Sequence, residues 1–423
     1  MLAALTHPGD RRSLGAVLVG AFLLRLLPLL LGALLAEDPF CGPDTVTYDG
    51  PARRLAAGEG LTDELGRPAV GRPPGYSTFL AAVYLLAGGP SWAAVRVVQA
   101  ALGAAAAWAI HAALVSRGAG AGVALLGAGL AALDPVAVGQ SPFILREQLL
   151  LTLVTLLLAA LLGRWRGRHL LAAVLLVALA LTHQLYALLG PFLALGDLLA
   201  ARTWRARRVR LLRWAAIGLL VVSGVWLWAR RNERLTGRLA LTLADNPVPA
   251  RELWLTATCT NRWLSGDFAT GFQALAWREE ARLVSRLGVE GAKAEMYRRT
   301  LELWREQPLT CLGRLLRQNA WYWLELPGAV NLVEHPRLFL VRWAVLPWHW
   351  VRLTCAGAGV LWLLGGGRWR PWSPALATLG FFALAPAPLY PVPRYLGPAV
   401  PLLCLLAALG LAESLRRREE GRP

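Results

Sequence analysis

The amino-acid sequence predicts an all-α polytopic membrane protein of about ten transmembrane helices, with amphipathic exterior helices in the first loop and in one longer exterior segment. Of 423 residues, 56% are hydrophobic and only 17% charged, whereas a soluble domain is roughly half apolar and about a quarter charged. The apolar residues come in blocks of about 20, the length that crosses ~30 Å of hydrocarbon. The formal net charge of +18 sits largely in short segments between those blocks, the arrangement of the positive-inside rule. That placement also argues against a nucleic-acid partner, which needs a basic stripe on a soluble face. Lys293 is the lone lysine. Heavy use of Arg, Ala, Leu and Gly is what a GC-rich genome encodes, so not every arginine is read as chosen for its fork.

Element by element, "RRSLGAVLVGAFLLRLLPLLLGALLAEDPF" reads as a retained first helix with Arg25 inside it and no small-x-small cleavage site before Glu37. Membrane helices are expected at about 14–36, 91–115, 119–137, 147–163, 169–182, 184–200, 212–229, 340–364, 374–389 and 395–413. Ten crossings put both termini on the cytoplasmic side of a cell inner (plasma) membrane. Arg11, Arg12, Arg117, "RWRGR", "RTWRARRVRLLR", "RWR" and "RRR" then all fall inside. The stretch 169–200 reads as two helices or as a re-entrant bend through "LTHQLYALLGPF". Three parts follow: an N-terminal module 1–229 with the first exterior loop 37–90, an exterior helical segment 230–339, and C-terminal helices with a basic tail, 340–423.

The first loop carries Tyr76 to Leu86, too short to span and expected along the surface as an interfacial helix. In 230–339, apolar residues at three- and four-residue spacing predict amphipathic helices punctuated by Gly288 and Pro308. The charges that stand out cluster near outer helix ends: Asp44, Asp49 and Arg72 in the first loop, Arg146 and Glu147 opening the fourth helix, and Arg394 between the last two. Polar groups near the bilayer midplane look sparse, which counts against a transporter. Arg96, a turn inside the second helix, either joins the outer cluster or snorkels to the interface. Arg146 and Glu147 either read a ligand or pair locally at a helix start. His183, Gln184 and His335 read as loop residues, and "WAVLPWHW" as an interfacial aromatic belt. The five cysteines make no metal-binding spacing; Cys41, Cys259 and Cys311 would share the outer side, as one disulfide or as unpaired thiols. Pro51 predicts a short helix from Pro51 to Ala57 ending at Gly58, capped by Gly50 or Asp49. That gives Asp49 a structural task and leaves Asp44 as either a turn acid or a catalytic one.

"PDTVTYDGPARRLAAGEG", "GRPPGYSTFLA" and "VRVVQAALGA", then "SPFILREQLLLTL" (141–153), "EMYRRTLELWREQPLTCLGRLLRQNAWYW" (295–323) and "YPVPRYLGPAVPLLCLLAALGL" (390–411), occur in an order that resembles the GT-C glycosyltransferases. The closest in look are the protein O-mannosyltransferase and aminoarabinose transferase type. The resemblance implies a GT-C-like fold and an inverting transfer of a sugar from a polyprenyl-phosphate carrier to an acceptor on the outer face. By position, Asp44 matches the family's first-loop catalytic acid, Arg72 heads the Arg-Pro-Pro, and Arg394 with Tyr395 matches the final Arg-Tyr. Asp44-Thr45 stands where many relatives have two adjacent acids, and Pro51 interrupts what is often a continuous helix. The acceptor (protein, lipid or glycan) and any use of a divalent metal therefore stay open.

The chemistry fits that set. An attacking hydroxyl gains from a carboxylate that takes its proton, typically by ~10²–10⁴. A departing lipid phosphate needs charge stabilisation more than a proton, which arginine forks supply. The sequence thus nominates Asp44 as base, Arg72, Arg146 and Arg394 as donor-phosphate contacts, and Tyr48, Asp49, Glu147 and Tyr395 in support. A lipid-linked sugar flippase, or a scaffold whose exterior helices bind a partner, would use some of the same features.

Overall fold

The computed structural model describes residues 8–33, 40–41, 43–243, 250, 253–254, 272–325, 339–389 and 393–420. Its elements are α1 (Pro8–Ala33), α2 (Pro43–Ala56), α3 (Gly75–Ala87), α4 (Trp92–Ser116), α5 (Ala121–Leu133), α6 (Pro135–Gln140), α7 (Glu147–Leu162) and α8 (Arg168–Thr182). A 3₁₀ turn (Gln184–Leu188) leads to α9 (Leu189–Ala200), followed by α10 (Trp204–Thr236), α11 (Phe272–Glu306), α12 (Pro308–Leu324), α13 (Phe339–Gly365) and α14 (Ser373–Leu384). A second 3₁₀ stretch (Pro393–Ala399) runs into α15 (Val400–Glu419). Helix therefore occupies each of the ten segments expected to be apolar spans, and α3 the expected interfacial segment. Among the described residues three runs are long and apolar enough to cross a membrane by length and composition: α4, α10 and Arg394–Glu419. Gly288 kinks α11 with φ 69°, and Pro308 opens α12.

Several boundaries differ from expectation for identifiable reasons. The expected span 119–137 splits, because Asp134 caps a new helix with Pro135 at its first position. Asp134 Oδ1 accepts from the N–H groups of Val136 (3.0 Å) and Ala137 (3.1 Å). The basic run 202–213 is mostly helix, since arginine is a good helix former and Thr203 Oγ1 caps Ala206 N–H at 3.2 Å. Pro386 and Pro388 stop α14 short of 389. Between α8 and α9 the chain neither continues nor simply loops: His183 is extended and a 3₁₀ turn follows.

Burial shows which helices are central. All eleven residues from Val400 to Gly410 of α15 are buried, as a helix hydrophobic on every side must be. α7 is likewise enclosed, from Glu147 to Leu162. α13 lies against α15 at backbone distance: a Cβ on Gly359 would stand 2.1 Å from the Leu406 carbonyl oxygen, the close approach small residues permit between apolar helices. α10 is the opposite case. Leu211, Leu212, Leu219, Leu220, Val222, Trp226 and Leu227 are all exposed along it, far more apolar surface than water tolerates in one patch.

Polar groups inside the bundle are not sparse, contrary to expectation. Arg25 donates to the carbonyls of Ala21 (3.0 Å), Ala132 (2.8 Å) and Ala131 (3.2 Å), closing the C-terminal end of α5. Asp134 Oδ2 accepts from Arg352 Nη1 and, at 3.0 Å, from Trp348 Nε1, both on α13. Arg352 also donates to His349 Nδ1, so the proton is on His349 Nε2, which donates to the Trp323 carbonyl at 2.8 Å. These bonds tie α1 to α5, and α5 and α6 to α12 and α13. They are struts rather than a path. Removing one partner of a buried ion pair strands the other charge, at a cost of about 3–5 kcal/mol. Arg352→Leu should therefore lower unfolding free energy by about that amount, measured by denaturant titration in detergent, and a loss under about 1 kcal/mol would contradict the strut role.

Candidate active site

At one end of the bundle, expected to be the outer one, α2 and the segment up to α3 meet the beginning of α7 and the 3₁₀ stretch before α15. α2 runs unbroken from Pro43, not from Pro51 as expected. Gly50 has no Cβ to clash with the Pro51 ring, which relieves the usual bar on helix before proline. Thr45, Tyr48, Asp49 and Ala52, at three- and four-residue spacing, bury one face. Tyr48 meets Tyr76 edge to face at 5.1 Å. Asp49 is therefore not a cap: it lies mid-helix and accepts from Tyr84 on α3 (2.5 Å) and from Arg53 (2.8 Å). The expected end of the helix at Gly58 is found, with φ 80° and Glu59 N–H bonded to the Arg54 carbonyl.

Asp44 is left in the first turn of α2, one turn before Tyr48. Rather than facing out alone, its carboxylate is held from both sides. Oδ1 accepts from Arg72 Nη2 at 2.6 Å, and Oδ2 from Arg394 Nη1 at 3.0 Å. Burial pushes the Asp44 carboxyl up, but Arg394 and Arg72, with Arg146 adding, outweigh it and hold it below its ordinary value. Arg72 lies over the Tyr48 ring, 5.4 Å from its centre. Pro73 and Pro74 stiffen its link to α3. Gly75 lets that start press onto the end of α8, where a Cβ would come within 2.4 Å of Thr182 Oγ1.

Arg146 and Glu147 open α7, and both are buried. Glu147 Oε1 lies 4.0 Å from Arg146 Nε and 3.9 Å from Arg394 Nε, ion-pair distances without a hydrogen bond. Among the described residues Arg146 Nε, Arg394 Nε and Glu147 Oε2 have no hydrogen-bond partner. Arg96 reaches the loop before α7: its Nε donates to the Pro142 carbonyl at 2.9 Å, and its guanidinium lies 5.6 Å from the centre of the Phe40 ring. One turn on, Gln99 donates to the carbonyls of Ser141 (2.7 Å) and Phe143 (2.9 Å) and accepts from Tyr76. α4 thus holds the loop that presents Arg146.

His183 is a site residue the sequence reading passed over as a loop histidine. Its Nδ1 accepts the Leu185 N–H at 3.2 Å, so the proton is on Nε2, which is buried and unpartnered among the described residues. Burial, then Arg146, Arg394 and Arg72, keep the ring neutral. Its ring stacks edge-on against Tyr395 at 5.6 Å. No spacing in the sequence links residue 183 to 395; only the pinched turn between α8 and α9 hinted at a special position.

Arg72, Arg146, His183 and Tyr395 line a cleft of about 1350 Å³ that also borders Thr47, Gly50 and Pro51. Glu147 and Arg394 line a small adjoining cavity with His183 and Tyr395 in common. Three guanidinium groups face two carboxylates, leaving one net positive charge. Among the described residues no three His, Cys, Asp or Glu side chains come together as a metal-binding group, and arginines beside Asp44 and Glu147 compete with a cation for each carboxylate. Cys41 and Cys311 are not joined to one another; Cys259 and His335 lie outside the described residues.

The chain matches no family model and no curated protein. Among solved structures it is similar to the archaeal oligosaccharyltransferase AglB from Archaeoglobus fulgidus, a GT-C superfamily member, in complex with an inhibitory peptide and a dolichol-phosphate. The TM-score is 0.56 at 14% identity, covering 98% of this chain and 52% of that one. The A. fulgidus enzyme in complex with Zn and sulfate gives 0.54 at 12%, covering 95% and 49%. Tethered to an acceptor peptide containing the NVT sequon, it gives 0.53 at 12%, covering 96% and 50%. The chain thus shares the fold of these structures while spanning about half their length.

The clamp has a pH signature. A carboxyl whose folded value lies below the ordinary 3.8 stabilises the fold above that pH and loses this contribution only as pH falls through the depressed value. Difference infrared spectra of the wild type against Asp44→Asn should show no protonated-carboxyl band from Asp44 at about pH 4.5. Such a band at that pH would contradict the clamp.

Proposed function

We propose that the chain is an integral membrane glycosyltransferase that moves a sugar from a polyprenyl-phosphate carrier to an acceptor hydroxyl or similar group on the outer face, with inversion. The observation that carries this reading is that Arg72 and Arg394, from distant segments, both bond Asp44 with Arg146 close by, a cluster with one positive charge in excess beside an open cleft. A volume of about 1350 Å³ exceeds the ~300–1,000 Å³ of ordinary small-molecule pockets and suits a lipid-linked sugar together with its acceptor. The dolichol-phosphate bound to one structural neighbour supports a lipid-phosphate donor, and the acceptor peptide tethered to another supports a peptide as one class of acceptor. Sugar, acceptor and transferase subtype are otherwise open.

In this mechanism the donor phosphate enters among the three arginines and takes Arg72 and Arg394 away from Asp44. Relieved of its partners, the part-buried carboxylate rises in basicity as an acceptor hydroxyl arrives. The acceptor oxygen attacks the anomeric carbon, its proton passes to Asp44, and the bond to the phosphate breaks with the electron pair leaving on the phosphate oxygen. Arg146, with no hydrogen bond to give up, and His183 Nε2–H meet the charge that develops there. Tyr48 and Asp49 keep α2 in register, Glu147 balances Arg146 and Arg394, and Tyr395 packs behind His183. The ten helical segments act as spans with both termini cytoplasmic, residues 1–229 and 340–423 forming the membrane part and 230–339 the exterior cover.

Purified protein given labelled polyprenyl-phosphate sugars, with and without cell-envelope extract, should release free lipid phosphate. Asp44→Asn should cut turnover by about 10² or more even in the protein that stays folded, with thermal unfolding shifted down because Arg72 and Arg394 lose their partner. Arg146→Gln should lower kcat more than it raises KM for the lipid donor. Substantial turnover in Asp44→Asn, or movement of the lipid across the bilayer without turnover, would refute the reading.

A further inference from the structure

A second cavity lies at the far end of the same bundle. Four stretches, the first three consecutive, have one end at each site: α7 from Glu147 to Leu161, α8 and the residue after it from His169 to His183, the 3₁₀–α9 run from Leu185 to Asp197, and α14 from Ser373 to Phe382. The 16 residues of α7 set the two roughly 24 Å apart along the helix axis. This far cleft, about 440 Å³, is lined by Arg117, Arg168, Arg202, Arg210, Arg213 and Arg370. Asp197 is the one acid among its lining residues, and it is already spent: its oxygens accept from Arg210 at 2.7 Å and Trp214 at 3.1 Å. Six guanidinium groups against one carboxylate leave five positive charges around one cavity.

Backbone dipoles add to them. The N-terminal ends of α8, α10 and α14 all border the cleft, through Arg168, Thr203 and Ser373, and each carries partial positive charge. Two donors in the wall are buried and unused. Arg117 spends Nη2 on the Leu161 carbonyl at 3.2 Å, and its Nε is unpartnered among the described residues. Arg168 donates to His169 Nε2, so the proton is on His169 Nδ1, which is unpartnered too. Burial, with Arg168 and Arg164 nearby, lowers Arg117 to about 10. Basic loops that only set topology would splay into water. Here arginines from four separate segments are drawn around one concavity, an arrangement that repels itself unless an anion fills it.

We propose that this far cleft is a binding site for the phosphate group of an anionic ligand, either the headgroup of an anionic phospholipid or a soluble phosphate. Arg117 and Arg213 with His169 Nδ1–H read the phosphate oxygens, and the three helix ends supply the background field. On the positive-inside orientation the cleft opens to the leaflet where anionic headgroups concentrate. The site stands apart from the Asp44 chemistry and does not depend on it.

Native mass spectrometry of the purified chain in detergent, titrated with phosphatidylglycerol, phosphatidylcholine or inorganic phosphate at matched ionic strength, tests this. Phosphatidylglycerol should be retained over phosphatidylcholine by about tenfold or more. Arg117→Gln/Arg213→Gln should lose that preference, and Arg208→Gln, exposed on α10 outside the cleft, should keep it. Where the double variant fails to fold, Arg117→Gln alone serves. Displacement of the lipid by inorganic phosphate identifies the phosphate as the group read, and phosphate binding without lipid preference, lost in the same variant, identifies a soluble ligand. Equal retention of both lipids with no phosphate binding, or an equal loss in Arg208→Gln, would overturn the proposal.

Discussion

Five charged side chains gather at one end of this bundle, Arg146 and Glu147 buried and Asp44, Arg72 and Arg394 partly so, and they have to neutralise one another there. Asp44 takes Arg72 on one oxygen and Arg394 on the other, while Glu147 stands between Arg394 and Arg146. The rest of the outer end serves this arrangement. α2 is pinned by Tyr84 through Asp49, α3 is pressed onto α8 through Gly75, and α4 holds the 141–143 carbonyls through Gln99 and Arg96. Removing a charged partner from such a set costs more than its hydrogen bonds, because the remaining charge stays desolvated.

The balance is incomplete by one positive charge, and that surplus connects structure to function. A cluster of exact neutrality would be a strut, like the Asp134–Arg352 pair deeper in the bundle. The outer cluster instead borders an open cleft and keeps buried donors in reserve on Arg146, Arg394 and His183. On the proposed function an anion completes it. The same electrostatic reasoning, applied at the opposite end of α7, singles out the arginine-lined cleft there, and the two proposals together give the bundle an anion-reading site at each end.

Much of the fold was legible in the sequence because apolar blocks of the right length leave few alternatives to packed helices. The candidate site was legible one residue at a time: Asp44, Arg72, Arg146 and Arg394 stand out as charges at helix ends. Their pairing was not, since contacts across 28 and 350 residues leave no local period. Pro51 misled because proline's helix-breaking rule is local, while the burial of Tyr48 and Ala52 against α3 is tertiary and prevails. His183 and Asp134 were missed for a related reason: a polar residue beside a helix end reads as a cap, and only the fold shows what lies opposite it. Arg96 shows the converse, a charge conspicuous in sequence whose work is to hold a loop.

The central claim is that Arg72 and Arg394 are shared in turn between Asp44 and a lipid phosphate. Its most direct test is an experimental structure of the chain with a polyprenyl phosphate bound in the outer cleft. The account predicts phosphate oxygens within hydrogen-bond distance of Arg146 and Arg394, with at least one of the two arginines withdrawn from Asp44. A phosphate bound elsewhere, with both arginines still on Asp44, would contradict it.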